Sequence, residues 1–222
     1  VTAPDEQIAA GPRAALIADQ IAIVGGDELA AIANSSKVNR LEPVTLLSAL
    51  APVTTNIGLA ATAATSYWEP YNLARMFGSL DQISGGRAAW NCVTGGQKEE
   101  AANFSLERHA AHADRYERAS EFVDVVVGLW ESFEADALLH DKASGRFFDP
   151  AKIHTLNHKG KHFSVKGPLN VARSPQGRPV IIQAGGSDAT IEMAARVAEV
   201  VFTAQADLAA ARAAAWAGVG GG

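Results

Sequence analysis

One cysteine, Cys92, stands in 222 residues, so no disulfide can close within the chain. No apolar run reaches the roughly 20 residues that a bilayer span needs, and the stretch 45–53 is among the longest. No signal-peptide pattern opens the chain, which together with the single cysteine leads us to expect a cytoplasmic protein. Basic blocks are missing too. Nineteen Lys and Arg stand against 24 Asp and Glu, a net charge of -5, which disfavours nucleic acid as the main partner. There is no G-x-G-x-x-G after a strand, hence no dinucleotide fingerprint, and no G-x-S-x-G, hence no serine-hydrolase elbow.

What the chain does have is apolar residues, 48% of the total, arranged in short runs. The runs 14–18, 56–65, 88–94, 179–185 and 199–205 alternate poorly and end in polar residues or glycine. That is the pattern of strands buried on both faces of a parallel sheet. Between them the spacing predicts helices over 44–53, 69–83, 109–134 and 187–197. Pro70 suits a first helical turn and Ser187 an N-cap. Strand and helix alternate, so an open doubly wound sheet and a (β/α) barrel both fit. Residues 135–178 break the alternation and read as a β-rich insertion within one domain spanning 1–222.

In a parallel β/α sheet, ligands gather at the carboxyl ends of the strands. That rule collects Asp19, Thr62 with Thr65, Asn91 with Thr94, and 183–187 on one rim. The stretch "AGGSDATIEMAARVA" passes from strand to helix through Gly185, Gly186 and Ser187, where bare backbone N–H groups can hold an anion; a plain N-cap explains it equally well. Asp188 would repel a phosphate and is expected to face outward. His112 and Tyr116, four apart, share one face of a helix start and offer donors to a phosphate or a polar ring, or form a solvated helix start. His109 and His112 have metal-pair spacing but lack a third ligand, so no metal is expected. Cys92, mid-strand beside Trp90, reads as a core residue rather than a nucleophile.

Taken together, "LARMFGSLDQISGGRAAWNCVTG", "EEAANF", "HADRYERASEFVDVVVGLWESFEADA", "DKASGRFFDP", "FSVKGPLNVARSPQGRPVIIQAGGS" and "VAEVVFTAQ" resemble the bacterial luciferase-like flavin monooxygenases. Within these the resemblance points to the branch of nitrilotriacetate, EDTA, dibenzothiophene-sulfone and long-chain alkane monooxygenases, and runs in order from Ile17 to Gln205. It implies a TIM (β/α)8-type barrel with FMN at its C-terminal rim. It also implies a two-component reaction in which a separate NAD(P)H:flavin reductase supplies reduced FMN. With O2, the flavin then oxygenates a small organic substrate, and a homodimer is expected.

The resemblance assigns Asp19 and Thr62 to the flavin ring and Asn91 to the pocket wall. His112 and Tyr116 of the H-x-x-R-Y pattern, and Ser187 with Gly186, are assigned to FMN binding. Asn91 to Thr94 are expected to face the flavin pocket, and no catalytic acid or base is singled out. Residues 1–13 do not match the family's first strand, and the chain closes in a glycine tail, so an incomplete barrel is expected. Two alternatives stay open: an F420-dependent oxidoreductase of the same superfamily, and a non-catalytic remnant or partner subunit.

Overall fold

The computed structural model describes residues 14–23, 32–33, 38–185 and 187–202. Five parallel strands form its main sheet. They are β1 (Ala14–Ile17), β2 (Gly58–Ala64), β3 (Ala88–Val93), β8 (Val180–Ala184) and β9 (Val200–Phe202), in the spatial order β1-β2-β3-β8-β9. Each of these strands pairs with the next one in the chain, and the order never reverses. A doubly wound sheet reverses at a switch point, so the topology is that of an arc of a β/α barrel.

Four helices connect the strands: α1 (Pro43–Leu50), α2 (Pro70–Ser84), α3 (His112–Trp130) and α4 (Asp188–Val197). A 3-10 turn, Ala51–Val53, completes the helical stretch expected over 44–53. The helix expected over 109–134 is shorter at both ends. Ala111 is already extended, and beyond Trp130 the chain finds other partners: the Ser132 carbonyl accepts from the His154 N–H at 2.8 Å, and Phe133 bridges to Ile153. Between α3 and β8 lie two antiparallel pairs, β4 (Leu138–Asp141) with β5 (Arg146–Phe148), and β6 (His158–Lys159) with β7 (Ser164–Val165).

Register divides the sheet into two faces. Leu59, Ala61 and Ala63 align with Ala88, Trp90 and Cys92, and Trp90 aligns with Ile181. These side chains form one core with Leu47 of α1, Phe77 of α2, Phe122 and Leu129 of α3, and Met193 of α4. Ala60, Ala89 and Ile182 form a separate cluster on the opposite face, without helical members. The helices thus cover one side and leave the other to small residues, as a barrel's outside and inside require. The three inner strands, β2, β3 and β8, are buried as expected, but the edges are not. β1 alternates exposed and half-buried residues, and Val200, Val201 and Phe202 of β9 are exposed.

Trp90 is the centre of the helix-side core. Phe77, Phe122 and Trp130 stand around it at centroid distances of 6.1, 6.0 and 6.2 Å, and its indole N–H donates to the Ala63 carbonyl at 3.0 Å. Aromatic rings offset in this way add packing energy beyond their buried area. The other indole, on Trp130, donates to the Ala74 carbonyl of α2 at 3.0 Å.

The turn before β3 explains its two glycines. Gly85 and Gly86 adopt φ of 70° and 87°. The Gly86 N–H reaches the Asp81 carbonyl and the Gly85 N–H the Gln82 carbonyl, which closes α2 in a Schellman motif. Arg87 follows and ties the amino ends of the strands together. Its guanidinium donates to the carbonyls of Ala51, Thr54 and Ile57, and its Nε to that of Ser84. Buried Asp81 accepts from the Ala88 N–H at 2.8 Å and from Gln176 Nε2 at 2.6 Å.

Replacing Arg87 by alanine strands several half-buried carbonyls at once. Arg87→Ala is expected to lower stability by about 2–3 kcal/mol in urea unfolding. Arg87→Lys, which lacks the fork geometry, should recover only part of that. A shift within error for Arg87→Ala would show that the clamp is dispensable.

Candidate active site at the carboxyl ends of the strands

The carboxyl ends of β1, β2, β3 and β8 open into a cavity of about 670 Å³. Asp19, Thr62, Asn91, Thr94, Glu100, Tyr116 and Met193 are among its lining residues. Its floor is set by sheet register. Thr62 and Asn91 are direct partners across β2 and β3, and Asn91 Nδ2 donates to Thr62 Oγ1 at 2.9 Å. That bond aims Asn91 Oδ1 elsewhere, and this buried acceptor has no partner among the described residues. A buried orphan acceptor on a cavity wall is a place for a ligand donor.

All four residues from Asn91 to Thr94 line the cavity, but their side chains do not all point the same way. Strand alternation puts Asn91 on the inner face and Cys92 on the helix side, where it is fully buried. Burial pushes the Cys92 thiol far above its ordinary range, so it is held as the inert thiol.

Asp19 follows β1 and accepts from the Gln20 N–H at 2.8 Å. Burial raises its carboxyl above the usual range, opposed by the Gln20 bond; Glu42 then raises it further while Arg40 pulls it down. Tyr116, on the first turns of α3, lines the same cavity from the other side. Its hydroxyl meets Thr190 Oγ1 at 2.6 Å, and Thr190 Oγ1 meets Ser187 Oγ at 2.8 Å. Ser187 caps α4 and accepts from the Thr190 N–H at 3.3 Å. Three hydroxyls thus meet at a helix N-terminus, where backbone N–H groups and the helix dipole favour an anion.

His112 is exposed and lies outside the lining, but its ring packs on that of Tyr116 with centroids 4.6 Å apart. Asp188 is exposed, as expected for a carboxylate beside an anion site. Gly186 lies outside the described residues. Thr65 is fully buried just past β2 and is not part of the lining. His109 engages Tyr67 through its Nδ1, while His112 packs on Tyr116, so the two imidazoles serve different neighbours. Among the described residues no cluster of three or more metal-ligating side chains occurs, and no helix is long and apolar enough to cross a membrane.

Two residues of the site escaped the sequence reading. Thr190 carried a usable signal, since it stands three residues after the N-cap Ser187, where a side chain reaches back to the cap. Glu100 carried none: "QKEE" looks like a solvated charge run, yet Glu100 is buried against the cavity.

Sheet order, with a cavity at the carboxyl ends of the strands, defines a protein of the β/α-barrel type. The family described as luciferase-like monooxygenase matches residues 13–217, and the chain belongs to it. N-acetyl-S-(2-succino)cysteine monooxygenase of Bacillus subtilis (strain 168) is 58% identical over 175 residues, covering 79% of this chain and 40% of that protein. Nitrilotriacetate monooxygenase component A of Aminobacter aminovorans is 59% identical over 169 residues, covering 76% of this chain and 37% of that protein. A solved riboflavin lyase, holding a modified FMN and riboflavin, aligns with a TM-score of 0.83 at 36% identity over 92% of this chain and 47% of its own. The chain therefore spans about 40% of the length of the curated relatives it matches.

The buried thiol gives a direct test of the face assignment. A maleimide should label Cys92 only after denaturation. Rapid stoichiometric labelling of the native chain would place Cys92 at an accessible wall instead.

Proposed function

We propose that this chain carries the flavin-binding half of a reduced-FMN-dependent, O2-using monooxygenase of a small organic substrate. The observation that carries the reading is the hydroxyl group Tyr116–Thr190–Ser187 at the N-terminus of α4, beside a cavity floored by Thr62 and Asn91. A cavity of about 670 Å³ falls within the range that encloses cofactors of this size. The donor set fits the group: hydroxyls and helix N–H groups for a phosphate, an amide and a hydroxyl for a polar ring.

In this reading Ser187, Gly186, Thr190 and Tyr116 hold the phosphate, and His112 braces the Tyr116 ring. Thr62, Asn91 and Asp19 face the ring system. Reduced FMN, when bound, supplies the O2 activation that the protein's own side chains lack. The chain contributes position and dryness. Asn91 orients through its bond to Thr62, and the small residues Ala60 and Ala89 leave room on the inner face. A (β/α)8 barrel completed by strands beyond those described would close the cavity, with 135–178 as an insertion in that single domain.

Two-component operation is part of the proposal. The Aminobacter relative is named as a component A, which supports delivery of reduced flavin by a separate NAD(P)H:flavin reductase. The relatives' names span different substrates, so the proposal stops at a small organic molecule. A cytoplasmic homodimer completes it.

The test is titration of the folded chain with FMN and with riboflavin, which lacks the phosphate. Wild type should prefer FMN. Ser187→Ala and Tyr116→Phe should each weaken FMN by roughly 1 kcal/mol, about fivefold, and leave riboflavin unchanged. Equal losses for both ligands would remove the phosphate assignment, and no binding of either would remove the flavin reading.

A further inference from the structure

The cavity lining holds a group that the proposed flavin contacts leave unused. Glu100 sits in the 3-10 turn Lys98–Phe104, is only 6% exposed and lines the cavity. Its Oε2 is buried and has no hydrogen-bond partner among the described residues. Gly95 shows how tightly this oxygen is enclosed: a Cβ there would lie 2.8 Å from Glu100 Oε2, with Tyr67 and His109 close behind at 3.6 and 3.7 Å.

The charged and titratable groups around Glu100 come from several elements. Asp19 follows β1 and bears on Glu100 as a second carboxyl. Tyr67 comes from the loop after β2, and its hydroxyl meets His109 Nδ1. His109 comes from the segment before α3 and Arg115 from the start of α3. Two cations bear on this region: Arg40 lines the same cavity and acts on Asp19, and Arg115 spends a donor on the Ala110 carbonyl at 2.6 Å; among the described residues neither forms an ion pair with Glu100. An ionised carboxylate buried with one oxygen unpartnered, next to another carboxyl, is costly, which favours its protonated form. Burial accordingly raises Glu100 above the ordinary carboxylate range, against the pull of the Gln97 and Gly96 backbone; Asp19 adds to the rise and Arg115 opposes it.

We propose that Glu100 is a ligand-binding residue of this cavity, present as the neutral acid, whose carboxyl O–H donates a hydrogen bond to an acceptor atom of the bound molecule. Resting on the flavin reading above, that acceptor belongs to the polar edge of a flavin ring, a neutral heteroaromatic rich in carbonyl oxygens and ring nitrogens. Asn91 Oδ1 is an acceptor on the same cavity's wall. Together the two offer a ring one donor and one acceptor, which selects a ligand carrying both an acceptor and an N–H.

The experiment compares wild type, Glu100→Gln and Glu100→Ala in two measurements. The first is a carbon-13 titration of ligand-free chain labelled at its Glu carboxyls, from about pH 4 to about pH 8. One resonance, missing from Glu100→Gln, should titrate above the ordinary carboxylate range. The native state then binds a proton that the unfolded state has released. Glu100 thus contributes stability that is present below its unfolded pKa and lost as pH rises through its native one. Glu100→Gln, measured by urea unfolding beside wild type, should lack that share of the loss. A Glu100 resonance at an ordinary position overturns the proposal.

The second measurement is FMN affinity across the same range. Wild type should weaken as pH rises through the Glu100 transition. Glu100→Gln, which keeps a donor at this position, should hold an affinity independent of that transition, and Glu100→Ala should lose about tenfold at low pH. If Glu100→Ala does not fold, the flattened profile of Glu100→Gln decides alone. Flavin binding that is indifferent to both substitutions overturns the role of Glu100 while leaving the flavin reading intact. A folded wild type that binds no flavin overturns the flavin reading first, and the donor role toward it with it.

Discussion

The indole of Trp90 is the piece on which the arrangement depends. It stands on the central strand, touches rings from α2 and α3, and bonds back to the neighbouring strand at Ala63. Because α3 is fixed to the sheet through Phe122 and Trp130, its first turn is fixed as well. That turn carries Tyr116 to the cavity and Arg118 to the Thr65 and Trp68 carbonyls. The position of a polar group at the rim is therefore set by aromatic packing two turns further along the helix.

The two ends of the sheet do different work. At the amino ends, Arg87 spends its guanidinium donors on carbonyls and Thr54, and Asp81 Oδ1 accepts from the Ala88 N–H and from Gln176, while Asp81 Oδ2 stays buried without a partner among the described residues. At the carboxyl ends, polar capacity is left over: Asn91 Oδ1 and Glu100 Oε2 are both buried and unspent. Leaving such groups unpaired costs stability; what distinguishes the two at the carboxyl ends is that both line the cavity.

Much of this was legible in the sequence, for identifiable reasons. Strands 88–93 and 180–184 announced themselves because they are apolar on both faces, and the Gly pair at 85–86 because only glycine takes those φ values cheaply. The rim followed from strand ends alone, which is why Asp19, Thr62 and Asn91 line one cavity; Tyr116 was legible from its helix start and from the family resemblance. What was hidden depends on three dimensions. Sheet order, which separates a barrel arc from a doubly wound sheet, has no local pattern. Cys92 and Asn91 are neighbours in sequence and lie on opposite faces, a fact that strand alternation could have supplied. Glu100 was invisible because a buried acid and a solvated one are written with the same letters.

The chain of three hydroxyls at α4 carries a consequence in proton counting. Tyr116, Thr190 and Ser187 own three hydroxyl protons, and their two mutual contacts consume two of them. One proton is left to point outward, so the group by itself is a weak donor to solvent. A neutral acceptor gains only that single donor. An anion with several oxygens can turn the other two outward, trading bonds between neutral hydroxyls for stronger charge-assisted ones. In the proposed phosphate role, the group would work as a latch whose rotors turn for a charged guest.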